Sequence, residues 1–283
     1  MIGRMIAPLW GLVLLYAAAR ISQAFPDKIP VLVIVALHVL PPLLFALFHG
    51  AVLYRPRGIL TFTLLCIVVG NLFENLSIFT GFPFGHYHFT EVMGPKLFQV
   101  PVLLGLAYIG MGYASWILAL VILGRSGGRV AQPLLASFIM VAWDLSMDPI
   151  WSNLVHAWSW HQGGAYFGVP LSNFLGWYLT IFMIYFSFAF YLRRRPANSS
   201  SPPPSNFWYP AVLLYAVSAA GNLAVVQPPG LSVVADATGT QWQVSGILGA
   251  SALVSIFVMG GFALLGWVRL FRQDFPAASP LDA

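Results

Sequence analysis

Charged residues are scarce in this sequence: Asp, Glu, Lys and Arg together account for 7% of its 283 residues. A soluble domain carries about 25% charged residues, so the composition excludes an ordinary water-exposed surface. Hydrophobic residues reach 59% of the chain. They recur in runs of about 20 residues, which is the length of a helix that crosses a bilayer. We therefore expect a single integral membrane domain over 1–283.

Cysteine and the usual motifs of soluble enzymes are also lacking. The one cysteine, Cys66, lies in an apolar run and has no partner for an intramolecular disulfide. The sequence contains no P-loop, no GxGxxG before a helix, no GxSxG, no HExxH and no CxxC pair. The formal net charge of +5 comes from basic residues at the ends of apolar runs. Such a distribution does not form a nucleic-acid-binding face, so we expect no nucleic acid partner.

The apolar runs predict an all-α, polytopic membrane bundle of about eight transmembrane helices. Prolines at 41 and 42 are expected to kink the second span, which helix packing in a membrane tolerates. The predicted spans are roughly 5–24, 31–53, 58–80, 100–123, 132–150, 171–192, 207–227 and 244–268.

The distribution of basic residues predicts the orientation of the bundle. With both termini in the cytoplasm, ten of the 13 lysines and arginines lie on the inside, and only Arg20, Lys28 and Lys96 lie on the outside. This bias follows the positive-inside rule. It makes the Ser- and Pro-rich segment 193–205 a cytoplasmic linker, and 270–283 a short cytoplasmic tail.

Two aspartates fall inside the fifth predicted span, in the sequence VAWDLSMDPIW. Asp144 and Asp148 are four residues apart, so their carboxylates share one face of a helix. Two carboxylates in a low-dielectric site cannot both ionise cheaply, and one is expected to hold its proton near neutral pH. The pair is either a proton donor with a partner carboxylate, or a structural dyad capped by neighbouring amides and hydroxyls.

A third intramembrane acid lies in the third span. Glu74 shares a helical face with Asn71 and Asn75. These polar groups either form interhelical hydrogen bonds, as polar residues do in membrane bundles, or help to hold a proton or a water molecule.

The loop after the third span contains His86, His88 and Glu91 among several glycines and prolines. An H-x-H pair with a nearby glutamate could ligate a metal if the loop folded back, but the pattern is weak and we predict no metal site. The alternatives are a contribution to a substrate or proton network and a purely structural role.

Aromatic residues make up 15% of the chain, and several of them lie near the acids. Most fit an interfacial aromatic belt. The alternative is an apolar slot for a polyene, in which ring faces would stabilise a carbocation. Together with Asn173, at the start of the sixth span, the candidates for substrate contact are Tyr87, Trp143, Trp151, Tyr166, Phe174 and Trp177.

Three segments resemble signature blocks of the carotenoid biosynthesis membrane family that contains the CruF-type carotenoid 1,2-hydratases. The segments are TGFPFGHYHFTEVMGPKLFQVPV, WDLSMDPIW and GGAYFGVPLSNFLGWYLT, within roughly 70–101, 143–151 and 163–180. The resemblance implies addition of water to the terminal double bond of an acyclic end of lycopene or γ-carotene. It also implies a bacterial-type inner membrane location, a carotenoid substrate in contact with lipid, and no cofactor.

The sequence contains residues that suit this chemistry. Protonation of an isolated alkene requires a neutral acid in a dry site. Our hypothesis makes Asp144 or Asp148 that acid and the other its modulator, while Glu74 with His86 or His88 guides water.

Other functions remain open on the sequence alone. A prenyltransferase would use the D-x-x-x-D spacing to hold Mg²⁺ and a diphosphate, and a terpenoid cyclase would use the same acid without adding water. A metal-dependent oxygenase would need the histidines as ligands. A proton-coupled transporter would use the carboxylate pair, although the sequence has no evident inverted repeat.

Overall fold

The computed structural model describes residues 2–25, 27–124, 128, 130–194, 203–227 and 230–272. These residues are mostly helical, as the sequence predicts. The helices are α1 (Ile2–Ser22), α2 (Val31–Thr80), α3 (Val102–Leu123), α4 (Ala131–Asn153), α5 (Leu171–Arg193), α6 (Tyr209–Leu223), α7 (Val244–Leu253) and α8 (Gly260–Phe271). A π-helical turn, Val254–Met259, joins α7 to α8.

Every predicted span coincides with helix, but the number of membrane crossings does not follow from that. Within the described ranges, five helical stretches are long and apolar enough to cross a bilayer: Val31–Thr80, Val102–Leu123, Ala131–Asn153, Leu171–Arg193 and Val244–Phe271. They indicate a multi-pass membrane protein. In α1 the apolar part is the shorter Ile6–Ser22, and α6 has only 15 residues, about 22 Å at 1.5 Å per residue. The count of eight therefore stays a prediction.

The second and third predicted spans form the two halves of α2. The backbone leaves helical angles at Arg55, which has φ 62° and ψ 164° and precedes Pro56. A proline disfavours helical angles in the residue before it, which explains a break at this position. Pro41 and Pro42 keep helical backbone angles, so the largest departure from helix lies between the predicted spans rather than within the second one.

The α3 helix occupies the centre of the bundle and packs against α2, α4, α6 and α8. Its buried face includes Tyr108, Tyr113 and Trp116. At Gly110 the backbones of α2 and α3 approach closely, because a Cβ there would lie 2.8 Å from Pro42 Cβ and 2.9 Å from the Leu43 backbone nitrogen. A glycine in the helix interior is therefore required at this crossing.

Short antiparallel sheets cover one end of the bundle. The strands are β1 (Tyr87–Phe89), β2 (Lys96–Leu97), β3 (Val100–Pro101), β4 (Trp158–Trp160), β5 (Val233–Ala235) and β6 (Gln241–Gln243), paired β1–β4, β2–β3 and β5–β6. The β1–β4 pair joins the loop after α2 to the loop after α4. The two loops predicted to lie on one side of the membrane are therefore in direct contact.

The predicted linker and tail lie largely beyond the described residues, which omit 195–202 and 273–283. Three of the ten basic residues assigned to the cytoplasmic side, Arg125, Arg129 and Arg195, are also not among the described residues. The orientation of the bundle remains a prediction.

Gly110→Ala should destabilise the fold by about 1–3 kcal/mol, because the added methyl group overlaps α2 and forces the two helices apart. Gly105→Ala is the matched control on the same helix, since a Cβ at Gly105 meets no atom within 4 Å. Thermal unfolding in detergent measures both. The control should be neutral or slightly stabilising, because alanine favours helix over glycine, and equal effects of the two substitutions would contradict this packing.

Cysteines introduced at exposed sites should report the predicted orientation. Ser205→Cys, at the exposed end of the predicted linker, should react with a membrane-impermeant maleimide only after the membrane is opened. Gln162→Cys, in the loop after β4, should react in intact cells. The native Cys66 is buried and provides an unreactive background, and the reverse pattern of labelling would invert the topology.

Candidate active site

The β1–β4 sheet orients its side chains alternately inward and outward. Tyr87 pairs with Trp160 and Phe89 with Trp158, and these four side chains are buried. The intervening pair, His88 and Ser159, faces the other side. Because successive strand residues point to opposite faces, three polar-tipped rings, those of Tyr87, Trp158 and Trp160, enter the end of the helical bundle.

The two aspartates of α4 lie together in the interior, each with 1% of its surface exposed. One amide bridges them: Asn173 Nδ2 donates to Asp144 Oδ2 at 3.1 Å and to Asp148 Oδ2 at 2.6 Å. The asparagine comes from the first turn of α5, where it is 1% exposed. The structure thus brings together the predicted pair and one of the predicted substrate-binding residues.

Asp148 receives more donors than Asp144. Its Oδ1 accepts the indole N–H of Trp158 at 2.8 Å and that of Trp160 at 3.4 Å. With the Asn173 amide, three N–H groups are directed at this one carboxylate. N–H donors stabilise a charged carboxylate more than a neutral acid, so the two members of the pair are chemically unequal.

Glu74 is 3% exposed and receives two phenol groups. Tyr108 on α3 donates to its Oε1 at 2.6 Å, and Tyr87 donates to its Oε2. The Tyr87 ring also lies 4.7 Å from the Trp160 ring, which connects Glu74 to the donors of Asp148. Burial raises the pKa of the Tyr87 hydroxyl well above its ordinary value, and the charges of Glu74 and Asp148 raise it further, so Tyr87 remains a donor.

Most of the predicted aromatic residues surround this cluster. Trp177 stacks on Tyr108 with centroids 4.5 Å apart, and Trp143 meets Trp177 edge-on at 6.3 Å. Trp151 stacks on Trp158 at 6.4 Å. These rings give the acids a largely apolar environment.

Tyr166 and Phe174 contact each other at 5.6 Å. The Tyr166 hydroxyl donates to the Leu145 carbonyl at 3.1 Å. Burial raises the pKa of Tyr166 to about 12, with contributions from the charges of Asp148 and Asp144. Tyr166 therefore lies within electrostatic reach of the pair without a hydrogen bond to it.

Five predicted site residues do not contact the acids. The exposed Glu91 forms an ion pair with Lys96 at 2.7 Å, and His88 Nδ1 lies 2.8 Å from His161 Nε2 on the outer face of the sheet. Burial, and then the charges of His161 and Lys96, lower the pKa of His88. The main-chain oxygen of His86 accepts the His161 N–H at 3.0 Å.

Asn71 and Asn75 also turn away from Glu74. The Asn75 amide donates to Asn71 Oδ1 at 2.9 Å, and its own Oδ1 accepts the Gln99 N–H at 3.2 Å. The shared helical face predicted for Asn71, Glu74 and Asn75 therefore does not produce a shared hydrogen-bond network.

Two cavities of different character adjoin Trp158. The inner cavity has a volume of ≈ 40 Å³ and is mostly apolar, and its walls include Met93, Leu104, Trp143, Met147 and Trp158. The second cavity is more polar and has a volume of ≈ 320 Å³. It is lined by His88, Thr90, Ser152, Asn153, His156, Trp158, Ser159, Trp160, Gly168, Ala235, Asp236 and Ala237.

Three side chains that hold the carboxylates escape prediction from the sequence. Tyr108 lies in a uniformly apolar span and has no distinguishing pattern. Trp158 and Trp160 form a W-S-W alternation that is typical of a strand with one buried face, and this signal could have located them. Their hydrogen bonds to Asp148 could not be predicted without knowledge of the β1–β4 pairing.

The described residues offer this cluster neither a set of metal ligands nor a cationic side chain. No three His, Cys, Asp or Glu side chains converge there in a way that could hold a metal ion. The described residues contain a single ion pair, Lys96–Glu91, so no lysine or arginine neutralises the buried acids. Hydrogen bonds from neutral groups stabilise them instead.

Fold and site together define a multi-pass membrane protein with a buried, aromatic-lined carboxylate cluster. A family model described as carotenoid biosynthesis protein matches residues 30–235, a range that contains all three resembling segments. The chain belongs to the carotenoid biosynthesis protein family, and this membership supports a role in that biosynthesis. Neither a curated protein nor a solved structure matches the chain.

Tyr108→Phe should lower the free energy of unfolding by about 1–3 kcal/mol, because it leaves a buried oxygen of Glu74 without a donor. Tyr178→Phe is a suitable control, since that ring lies on Phe138 and Phe182 and is partly exposed. Urea or thermal unfolding of both variants gives the comparison. Equal stability of the two would show that the Tyr108–Glu74 hydrogen bond contributes nothing.

Proposed function

We propose that this protein is a carotenoid hydratase that adds water to the terminal double bond of an acyclic carotenoid end group. The observation that supports the proposal most directly is the Asp144–Asp148 pair, which is buried, bridged by one amide and surrounded by aromatic rings. Such a pair resembles the neutral acid with an ionised partner that alkene protonation requires.

The unequal hydrogen-bond donors of the two aspartates support different roles for them. Asp148, with three N–H donors, is the ionised partner. Asp144, with only the Asn173 amide, carries the proton and acts as the general acid. Two adjacent carboxylates in a dry site hold one proton between them more easily than none.

The apolar inner cavity, of ≈ 40 Å³, is the proposed site for the end of the polyene, which would have to reach Asp144 past the rings that line this space. The indole rings of Trp143 and Trp158 line this cavity. They are also among the rings that surround the acids. When the acid transfers its proton to the terminal alkene, a new C–H bond forms and a tertiary cation develops at the adjacent carbon. Indole faces stabilise such a cation by cation–π attraction, and the ionised Asp148 adds favourable electrostatics.

The polar cavity, which Trp158 also lines, is the proposed source of water. A water oxygen forms a C–O bond with the cation, and the water loses one proton, which restores the carboxyl group. The sum is one alkene plus one water giving one tertiary alcohol, with no oxidation or reduction. Glu74 and Tyr87 extend the polar cluster and are proposed to help return this proton.

The family and the apolar helices support the substrate and the location that we propose. A carotenoid hydrocarbon dissolves in the bilayer and would reach the cavity from lipid. We propose a bacterial-type inner membrane, with the acid cluster near its outer face.

Asp144→Asn and Asp148→Asn should each lower hydration at least about 100-fold, the lower range for loss of a general acid. The chain is expressed in a bacterium that accumulates lycopene, and the molecular masses of the pigments are measured by mass spectrometry. Wild-type protein should yield carotenoids heavier by one or two waters. Asp27→Asn, at an exposed loop position, is the control and should behave as wild type.

Other outcomes of this experiment favour the rival functions. A product of unchanged mass but altered chromatographic mobility would indicate cyclisation by the same acid, and a product heavier by a prenyl unit would indicate prenyl transfer. Full activity in both aspartate variants, with each protein present in the membrane, would exclude the pair as the catalytic acid.

A further inference from the structure

The inner cavity is too small to hold more than the tip of the substrate that we propose. Its volume is ≈ 40 Å³, which is room for a few water molecules. The branched tip of an acyclic end group can occupy such a space, but the long conjugated chain behind it cannot. The proposed reaction therefore needs a second apolar space beside the inner cavity.

A larger outer cavity adjoins the inner one. It has a volume of ≈ 450 Å³, and the two cavities share His38, Trp151 and Asn222 in their walls. The outer cavity is bounded by the last residues of α4, the start of α2, the start of α7 and the segment after α6. These element ends lie at the end of the bundle that the sheets cover, which is also the end that holds the three acids.

The polar side chains that the two cavities share are already hydrogen-bonded within the protein. His38 Nε2 lies 2.8 Å from Gln23 Oε1, and Gln23 Nε2 donates to a main-chain carbonyl of α6. Asn222 Nδ2 donates to two serine hydroxyls at 3.1 Å and 2.9 Å. The rest of the outer wall is largely apolar and includes Val31, Ile34, Ile150, Leu154, Val226 and Leu248. Satisfied polar groups and aliphatic walls favour a hydrocarbon ligand over a polar one.

Trp151 connects the outer cavity to the acid pair. Its ring stacks on Trp158 with centroids 6.4 Å apart, and the Trp158 N–H donates to Asp148 Oδ1 at 2.8 Å. His38 meets the Trp151 ring edge-on at 5.7 Å. The series of contacts from the wall of the outer cavity to the carboxylate therefore consists of two indole rings.

The outer cavity has an exposed apolar rim. Val31 and Val226, which line it, are 41% and 47% exposed. Leu32 and Val33, which follow Val31 at the start of α2, are exposed as well. Apolar surface favours an apolar environment, so this rim suits contact with lipid and gives a hydrocarbon a route from the bilayer.

We infer that the outer cavity binds the conjugated chain of the carotenoid, with the reacting end directed past Trp151 toward Asp144 and Asp148. This inference rests on the proposed function, which supplies the substrate class, and adds to it a binding site remote from the acids. Burial of the apolar chain supplies binding free energy. Binding energy from a remote part of a substrate can orient its reacting end.

The kinetic test fills the outer cavity and leaves the acids untouched. Val31→Trp places a large side chain in the wall, and Val33→Trp is the matched control, because Val33 is on the same helix, is 46% exposed and does not line the cavity. With lycopene supplied in membranes, Val31→Trp should raise KM about tenfold through lost apolar contact and leave kcat nearly unchanged. Val226→Trp, on the segment after α6, should have the same effect, so the result does not depend on the folding of one variant. Val33→Trp should behave as wild type.

A binding measurement separates this inference from the proposed reaction. Asp144→Asn protein is purified from cells that accumulate lycopene, and the bound pigment is quantified by its absorption. Adding Val31→Trp should lower the retained lycopene about tenfold, whereas adding Val33→Trp should not. Retention that depends on Val31, without hydration by the wild type, would support this site and reject the hydratase.

Two results would overturn the inference. One is equal retention of lycopene and equal KM in the Val31→Trp and Val33→Trp proteins. The other is retention of phospholipid in place of lycopene, with Val31→Trp displacing that phospholipid, because the cavity would then hold an acyl chain of the bilayer.

Discussion

The site depends on the hydrogen bonding of three acids that are buried without a cation. Asp144, Asp148 and Glu74 lie inside a membrane bundle, where a lone carboxylate costs at least a few kcal/mol. Indole, phenol and amide donors take the place of lysine or arginine. A cation would fix the acids in their charged form, whereas neutral donors leave a proton available for chemistry. The donors come from α3, α5 and the β1–β4 sheet, so the cluster exists only when these elements assemble.

This arrangement explains why so much irregular chain is ordered at one end of the bundle. The β1–β4 pairing places Tyr87 on Glu74, and Trp158 and Trp160 on Asp148, through strict alternation along both strands. Trp158 lines both the apolar cavity and the polar one, and its indole N–H donates to Asp148, which connects the two spaces to the acid pair.

Much of this organisation could be predicted from the sequence, because membrane helices follow from hydropathy alone. The described residues are mostly helical, as predicted, and Asn173 donates to both Asp144 and Asp148. The roles of the loop residues were harder to predict. His88 and Glu91 are as polar as the partners of the acids, but strand register directs His88 outward. Glu91 lies in a short helical turn after β1 and pairs with Lys96. Tyr108, Trp158 and Trp160 carry no charge, and their importance comes from long-range pairing that one sequence does not encode locally. Hydropathy also does not decide whether α6 crosses the membrane, because packing can hold a helix that is too short to span the bilayer. It does not decide the orientation of the bundle either.

The most direct test of the central claim traces the hydrogen and the oxygen of water into the product. Membranes containing the protein are incubated with lycopene in deuterium oxide, and separately in water labelled with heavy oxygen. Protonation by the buried acid predicts one deuterium in a non-exchangeable C–D bond beside the new alcohol, and an alcohol oxygen derived from water. An oxygen derived from dioxygen, or an alcohol formed without deuterium on carbon, would contradict acid-initiated hydration at the Asp144–Asp148 pair.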